Sequence, residues 1–433
     1  MKKSTLTTLL GLLFVLPFSS CEAVPSTSGS STESLASSTS GSSLEESSSA
    51  DGTASSSRGR ISDPNGTPEY FEFTLNDKTK AYDVALSEDA CKTNLLGIVI
   101  PESYNGIPVT RIAKNGFCCE SSFGPKSVYI PKTITHIGDK AFEDCSNRLV
   151  RIDVSPDNPN YSSDSGILFN KDQTELIRCP KGKVREMALP KTLLTLRDYS
   201  YYECNLVNFR GLPDSLRTIG ESAFALTRNM PSTFVIPDNV TRIADHAFSG
   251  SSLTQLVLGK GVETIGEYAF QDCANLTELE IPSGVKNIET GTFDSCRSLK
   301  NVTTNRGLKA IRELAFANCT SLISVTISET VSSISTRAFI GCSSMEWFLV
   351  SPDNTHYCSL HDVLYNKDQT ELLRCPENKK RLTIPDTVTT IGDYAFYANK
   401  KLTYFVIPDN VTKVGESAFR SCPFLKEVTI GQN

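Results

Sequence analysis

An aromatic residue that returns at steps of mostly 22–25 residues constrains this chain more than any other feature. It stands at Phe117, Phe142, Phe224, Phe248, Phe270, Phe293, Phe316, Phe339, Phe396 and Phe419, with Tyr201 in one further slot. Five residues earlier there is always an aliphatic side chain, Ile in every unit except those of Leu196 and Val414. Between anchors the apolar positions alternate, as in Leu276-x-x-Leu279-x-Ile281, and Pro282 follows. Alternation marks a short strand with one buried face, and a proline, which cannot donate to a ladder, ends it. A second, shorter extended piece surrounds the Ile, and the AFxxC segment leaves room for about one turn of helix. Ala244, Glu289, Arg312 and Ser335 replace the Gly that follows Ile elsewhere, so that slot demands no left-handed backbone.

One such unit cannot fold alone. It buries about six apolar side chains at roughly 1.5–3 kcal/mol each, against roughly 1.5 kcal/mol of entropy per ordered residue. Neighbouring units must supply the rest, which makes the body a solenoid. About thirteen rungs spaced by roughly 4.8 Å give a parallel sheet on the order of 60 Å long.

The phrase LTELEIPSGVKNIETGTFDSC resembles the repeat of the BspA-like, treponemal-class leucine-rich repeat surface proteins. The likeness runs over residues 95–433, carried by the AFxxC and Ile-Pro punctuation, and the Asn of other leucine-rich repeats is absent. It implies a β-rich right-handed solenoid with one parallel sheet, short second strands and single-turn helices. It also implies a place on a microbial surface and a part in adhesion.

Two long rungs break the rhythm. SPDNPNYSSDSGILFNKDQTELIRCP begins at Ser155 and SPDNTHYCSLHDVLYNKDQTELLRCP at Ser351, and both lack the AF anchor. Apolar pairs flanking Asn170-Lys171-Asp172-Gln173 read as a hairpin with a polar turn, giving structural hairpin insertions at about 155–182 and 351–378. The remaining divisions are a β-rich N-terminal cap at 59–110 and the solenoid proper at 111–433.

Ahead of them, Lys2, Lys3 and the apolar run Leu9–Phe18 read as an export signal over residues 1–21, too short to span a bilayer. The residues before Cys21 resemble a bacterial lipobox, which implies acylation of Cys21 and lipid anchoring in the cell envelope. Phe18 departs from that pattern, and cleavage near Ala23 is the alternative. Residues 22–58 are Ser-rich and have little to bury, so they are expected to form a disordered tether whose reach is on the order of 30 Å. The chain ends just after Glu427-Val428-Thr429-Ile430 without a sorting motif, which leaves the lipid as the expected attachment.

The net charge is −6 and there is no Lys/Arg block to follow a phosphate backbone, so nucleic acid is not an expected partner. No GxSxG, HExxH or P-loop occurs. His356, Cys358, His361 and Asp362 are loosely spaced for zinc, and their counterparts Asn160, Ser162, Ser165 and Gly166 are not ligands. No catalytic residue, metal or cofactor is therefore expected, and the protein is not read as an enzyme. Cys145, Cys204, Cys273, Cys296, Cys319, Cys342 and Cys422 share a slot with Glu120, Thr227, Ser251 and Asn399. Stacked in parallel, such thiols are poorly aimed at one another and are expected to stay reduced. The state of Cys91, Cys118, Cys119, Cys179, Cys358 and Cys375 is left open.

Outward strand positions gather Ile323, Trp347, Leu349, Arg381, Tyr404 and Val406, residue types that anchor interfaces. These six form the candidate partner-binding surface; the competing reading tucks Trp347 beneath its hairpin. The expected function is non-catalytic recognition at the cell surface, adhesin-like by resemblance, of a protein partner such as host extracellular matrix or another cell. A glycan-binding module or a purely structural envelope protein is the alternative.

Overall fold

The computed structural model describes residues 67–119, 122–143, 145, 147–183 and 188–431. The expected export signal, Cys21 and the Ser-rich tether lie outside the described residues, as does Glu120. The body is a β-solenoid of stacked rungs with almost no helix; among the described residues the one α-helix is Glu88–Lys92.

Each regular rung contributes to two parallel ladders. The outer strands pair in stretches, the longest being Glu278–Glu280, Asn301–Thr303, Ser324–Ile327 and Trp347–Val350 in sequence order. Their central residue is buried and its neighbours face outward, as in Glu278-Leu279-Glu280. The two-residue strands around each Ile make the second ladder, for example Thr195–Leu196, Thr218–Ile219, Arg242–Ile243 and Thr264–Ile265. At the N-terminal end Ala81–Leu86 and Ile107–Ile112 start this second ladder, and Phe71–Asn76 pairs antiparallel with Ala81–Leu86. A disulfide joins Cys91, in the helix, to Cys119, just after the Phe117 anchor.

The anchor aromatics stack between rungs. From Tyr201 through Phe224, Phe248, Phe270, Phe293, Phe316 and Phe339, successive ring centroids lie 5.0–5.6 Å apart and nearly parallel. Rung spacing sets this distance, and offset ring stacking of this kind is favourable.

The AFxxC segments are tight turns rather than helix, because around most anchors the residues two before and two after are left-handed, as at Tyr268 (φ 55°) and Asp272 (φ 55°). Alternating left- and right-handed residues point successive amides the same way. Tyr268, Phe270 and Asp272 thus donate to the carbonyls of Thr290, Thr292 and Asp294 in the next rung, each at 2.9 Å. This makes a third ladder, built entirely of turns.

The hairpin rungs are partitions rather than external excursions. Their middle strands Ile167–Asn170 and Val363–Asn366 begin with three consecutive buried residues. Leu168 packs with the N-terminal core while Ile167 and Phe169 pack with the central one. Likewise Leu364 belongs to the central core, and Val363 and Tyr365 to the C-terminal one. An apolar run buried on both faces is the signature of an internal strand. The third hairpin strand, Glu175–Arg178 or Glu371–Arg374, then rejoins the second ladder by pairing in parallel with Thr195–Leu196 or Thr390–Ile391.

Both partitions use the same polar frame. Asn354 is fully buried; its amide donates to the carbonyls of Ser328 (2.8 Å) and Val331 (2.9 Å), and its Oδ1 accepts from the amides of His356 and Tyr357. Asn158 repeats this with Pro131, Ile134, Asn160 and Tyr161. A buried arginine stands in for the missing turn. Arg374 donates back to Phe339 O and forward to Tyr394 O and Tyr397 O; Arg178 donates back to Glu143 O and forward to Tyr199 O and Tyr202 O.

Candidate interaction surfaces

The six expected partner-binding residues do not share one sheet. Trp347 and Leu349 lie on Trp347–Val350, in register with Ser324 and Thr326, and Ile323 immediately precedes that neighbouring strand. Tyr404 and Val406 lie on Tyr404–Ile407, which pairs with Glu427–Ile430 in a separate sheet. The second hairpin rung intervenes, and the Phe348 amide donates to Asp362 O of that hairpin. Arg381 is exposed but belongs to no strand. Leu349 (47%), Tyr404 (61%) and Val406 (64%) are the exposed apolar members, while Trp347 and Ile323 are half-buried.

The cysteine slot is a ladder of buried thiols. Cys273, Cys296, Cys319 and Cys342 each donate from Sγ to the anchor carbonyl of the previous rung, Phe248, Phe270, Phe293 and Phe316, at 3.1–3.2 Å. Burial pushes the Cys273 thiol up to about 12 and raises Cys296, Cys319 and Cys342 as well. Un-ionised thiols are poor nucleophiles and poor metal ligands. Among the described residues no group of three or more His, Cys, Asp or Glu side chains could hold a metal ion.

The turn edge is a surface that strand patterning missed. The slot two residues before each anchor carries Lys140, Tyr199, His246, Tyr268, Arg337 and Tyr394 among others. His246 and Tyr268 stack at 5.2 Å. Across the first hairpin rung the Lys140 ammonium lies 4.2 Å from the Tyr199 ring centroid and 3.0 Å from its hydroxyl. Across the second, Arg337 lies 5.6 Å from the Tyr394 ring. Because a hairpin rung has no turn of its own, the edge is notched there. The first notch is a cleft of about 750 Å³ bounded by the turns around Lys140 and Tyr199. Reading the slot two before Phe would have shown this column.

Stacked parallel strands, a column of anchor aromatics and a turn edge define a leucine-rich-repeat β-solenoid. The chain belongs to the family of the BspA type leucine rich repeat region, which matches in six copies over residues 91–171, 179–233, 227–346 and 373–433. Among solved structures, a leucine-rich repeat protein from Eubacterium ventriosum is 27% identical with a TM-score of 0.52, over 59% of this chain and 66% of that one. A leucine rich cell surface protein from Faecalibacterium prausnitzii is 23% identical with a TM-score of 0.38, over 84% and 75% of the two chains. The pneumococcal vaccine antigen PcpA is 21% identical with a TM-score of 0.46, over 62% and 67%. A comparison with curated protein sequences gives no match.

Proposed function

We propose that this protein is a non-catalytic recognition solenoid, displayed on a bacterial surface through a lipid on Cys21, that holds a protein partner by the outward face of its strands. The observation that carries this reading is the exposure of Leu349 next to half-buried Trp347 on one outer sheet, and of Tyr404 and Val406 on another. Exposed apolar and aromatic side chains on a rigid sheet supply interface anchors at low entropic cost. The Cys91–Cys119 disulfide supports export, since such bonds persist in oxidising compartments. Membership of the BspA-type family supports surface display and adhesion.

The test is retention of cells that express the full chain on immobilised extracellular-matrix proteins. Trp347→Ala and Tyr404→Ala are compared with wild type, and Cys21→Ala is followed by membrane fractionation. Loss of retention in a face variant at unchanged expression is the expected result. Retention indifferent to both face variants removes the sheet face as the site, and membrane partitioning indifferent to Cys21→Ala removes the lipid.

A further inference from the structure

Ahead of the second hairpin the outer strands share one unbroken face. The Thr277 amide donates to Thr254 O, Lys300 to Thr277 O, Ile323 to Lys300 O and Glu346 to Ile323 O, at 2.8–3.2 Å. Each strand therefore repeats the register of the one before it. Thr233–Val235 joins the same face by pairing in parallel with Gln255–Val257. One outward column then reads Val235, Val257, Glu280, Thr303, Thr326 and Leu349. The other reads Thr233, Gln255, Glu278, Asn301, Ser324 and Trp347.

The chemistry changes along these columns. Val235 (52%) and Val257 (49%) make an exposed apolar pair at one end, and Leu349 (47%) stands beside half-buried Trp347 at the other. The strands between them offer hydroxyls and an amide, with Ser324 Oγ donating to Asn301 Oδ1 at 3.1 Å. Next to the valines Glu278 and Glu280 point outward from one strand. Among the described residues neither carboxylate has an ion-pair partner, while Arg306 and Arg312 in the following rung pair with Glu329 and Glu289. Glu346 adds a third carboxylate beside Trp347, and Lys300 is the basic side chain set among them. The face is thus apolar at both ends and acidic overall.

Spacing says what such a face can hold. From Val257 to Leu349 is four rung steps, roughly 19 Å at the usual strand separation. An extended chain laid across the rungs covers that distance in about six residues of roughly 3.3 Å each. Side chains an even number of residues apart share one face of an extended chain, so residues at about i and i+6 reach both apolar ends together. The residue at about i+2 comes to lie over Glu278 and Glu280. Opposite charge there satisfies the two carboxylates, and like charge is excluded.

We infer that this face binds an extended segment of a partner protein that carries apolar side chains about six residues apart, with a lysine or arginine two places in from the end nearest Val257. This deepens the proposed function and rests on its assignment of the sheet face. It narrows the partner to a cationic, apolar segment.

The test is binding of the full chain to biotinylated peptides on a streptavidin surface. The probe is Leu-Ser-Lys-Ser-Ser-Ser-Leu. Its controls put Glu in place of Lys, put Ser in place of either Leu, or shorten the spacing to Leu-Ser-Lys-Ser-Leu. The probe should bind about tenfold more tightly than each control and weaken with added salt. Val257→Ser and Leu349→Ser should each weaken it several-fold, and Glu278→Lys with Glu280→Lys should reverse the preference toward the Glu peptide. No binding of the probe at millimolar protein, equal binding of the Lys and Glu peptides, or a preference unchanged by the double charge reversal overturns the inference. The same double variant, tested for cell retention on matrix proteins, separates the two readings. Retention lost in Trp347→Ala but unchanged by the charge reversal sinks the cationic partner and leaves the sheet face standing. Retention indifferent to the Trp347 and Tyr404 variants removes the sheet face itself.

Discussion

Asp198 and Gly220 occupy adjacent rungs at a separation that admits no side chain between them. Asp198 Oδ1 accepts the amide of Glu221 at 2.7 Å, and a Cβ on Gly220 would stand 2.6 Å from that oxygen and 2.7 Å from the Asp198 amide nitrogen. Asp245 with Gly266 and Asp393 with Gly415 repeat the arrangement. Where the previous rung carries Glu or Thr in place of Asp, the Gly slot is filled by Ala244, Glu289, Arg312 or Ser335. Glycine here serves close approach, not a left-handed turn. Two glycines are exceptions: Gly138, which follows Lys114, meets backbone alone, and Gly392, which follows a hairpin rung, meets Leu372 O and Glu371 Oε1.

Gly220→Ala should therefore destabilise the protein by about 1–3 kcal/mol, the usual cost of forcing a side chain into closed space. Asp198→Ala should cost about 1 kcal/mol for its hydrogen bond. The double variant should cost less than the two together, because removing the carboxylate relieves part of the clash. Ala244→Gly, in a rung that follows Glu221, should cost about 0.5–1 kcal/mol through chain entropy. Chemical denaturation of the four variants checks this, and strict additivity at Asp198 and Gly220 would remove the coupling.

Phe293 lies in the middle of the ring column, 5.4 Å from both Phe270 and Phe316. Phe293→Ala should cost about 3–5 kcal/mol. In a one-dimensional array the loss stays close to its origin. Hydrogen exchange followed by mass spectrometry should show faster exchange in rungs 263–340 and little change beyond either hairpin, where separate cores begin. Uniform acceleration along the chain would mean that the partitions transmit the defect.

Asn354→Ala removes four hydrogen bonds and leaves two amides and two carbonyls without that partner beside the second partition. Each unmade bond costs about 1 kcal/mol or more, so a loss of about 3–5 kcal/mol is expected, and Asn158→Ala should match it at the first. The amides of His356 and Tyr357 should lose exchange protection before those elsewhere in the same rung. Thermal scanning and site-resolved exchange check both statements.

Burial pushes the Cys273 and Cys375 thiols up to about 12 from an ordinary value of 9.0. The folded chain keeps these protons after the unfolded chain begins to release them. The unfolded state then binds fewer protons, so the stabilisation is full below pH 9 and declines from pH 9 toward about pH 12. The midpoint of denaturation should fall with pH above 9, with a shallower slope in Cys273→Ser. Alkylation at pH 8 should reach half-exposed Cys358 and Cys422 while Cys273, Cys296, Cys319 and Cys342 stay unmodified.

Among the described residues, reduction bears on the N-terminal end alone. Cys91 and Cys119 close a loop with a sequence separation of 28, for which chain entropy gives about 3–4 kcal/mol. Cys91→Ser with Cys119→Ser should loosen the first rungs by that order, read as lost exchange protection between residues 71 and 112. The thiol ladder from Cys273 to Cys342 should be unaffected.

Much of this was legible in the repeat. The spacing of Phe, Ile and Cys located the rungs, and alternation in LTELEI told buried Leu279 from exposed Glu278 and Glu280. The near-identical hairpin phrases mark both interruptions, but a short apolar run has no periodicity to show that the buried triplets Ile167-Leu168-Phe169 and Val363-Leu364-Tyr365 cross the core. Grouping Trp347 with Tyr404 followed from assuming unbroken register, and the hairpin between them breaks it.

The sequence by itself determined what repeats: where each rung begins, which side chains it buries and which columns it stacks, because these follow from a period carried in every unit. The tertiary structure decided what happens where the period fails. The left-handed residues flanking most anchor aromatics follow no residue type, being occupied by Lys140, Tyr199, His246 and Leu314 alike. At Tyr199 and His246 they accompany hydrogen bonds to Glu221 O and Glu267 O of the following rung. The role of Arg178 and the cleft between two turns exist only because one rung is missing its turn. Such features depend on partners roughly one rung away in sequence and one strand spacing away in space, and no local pattern encodes them.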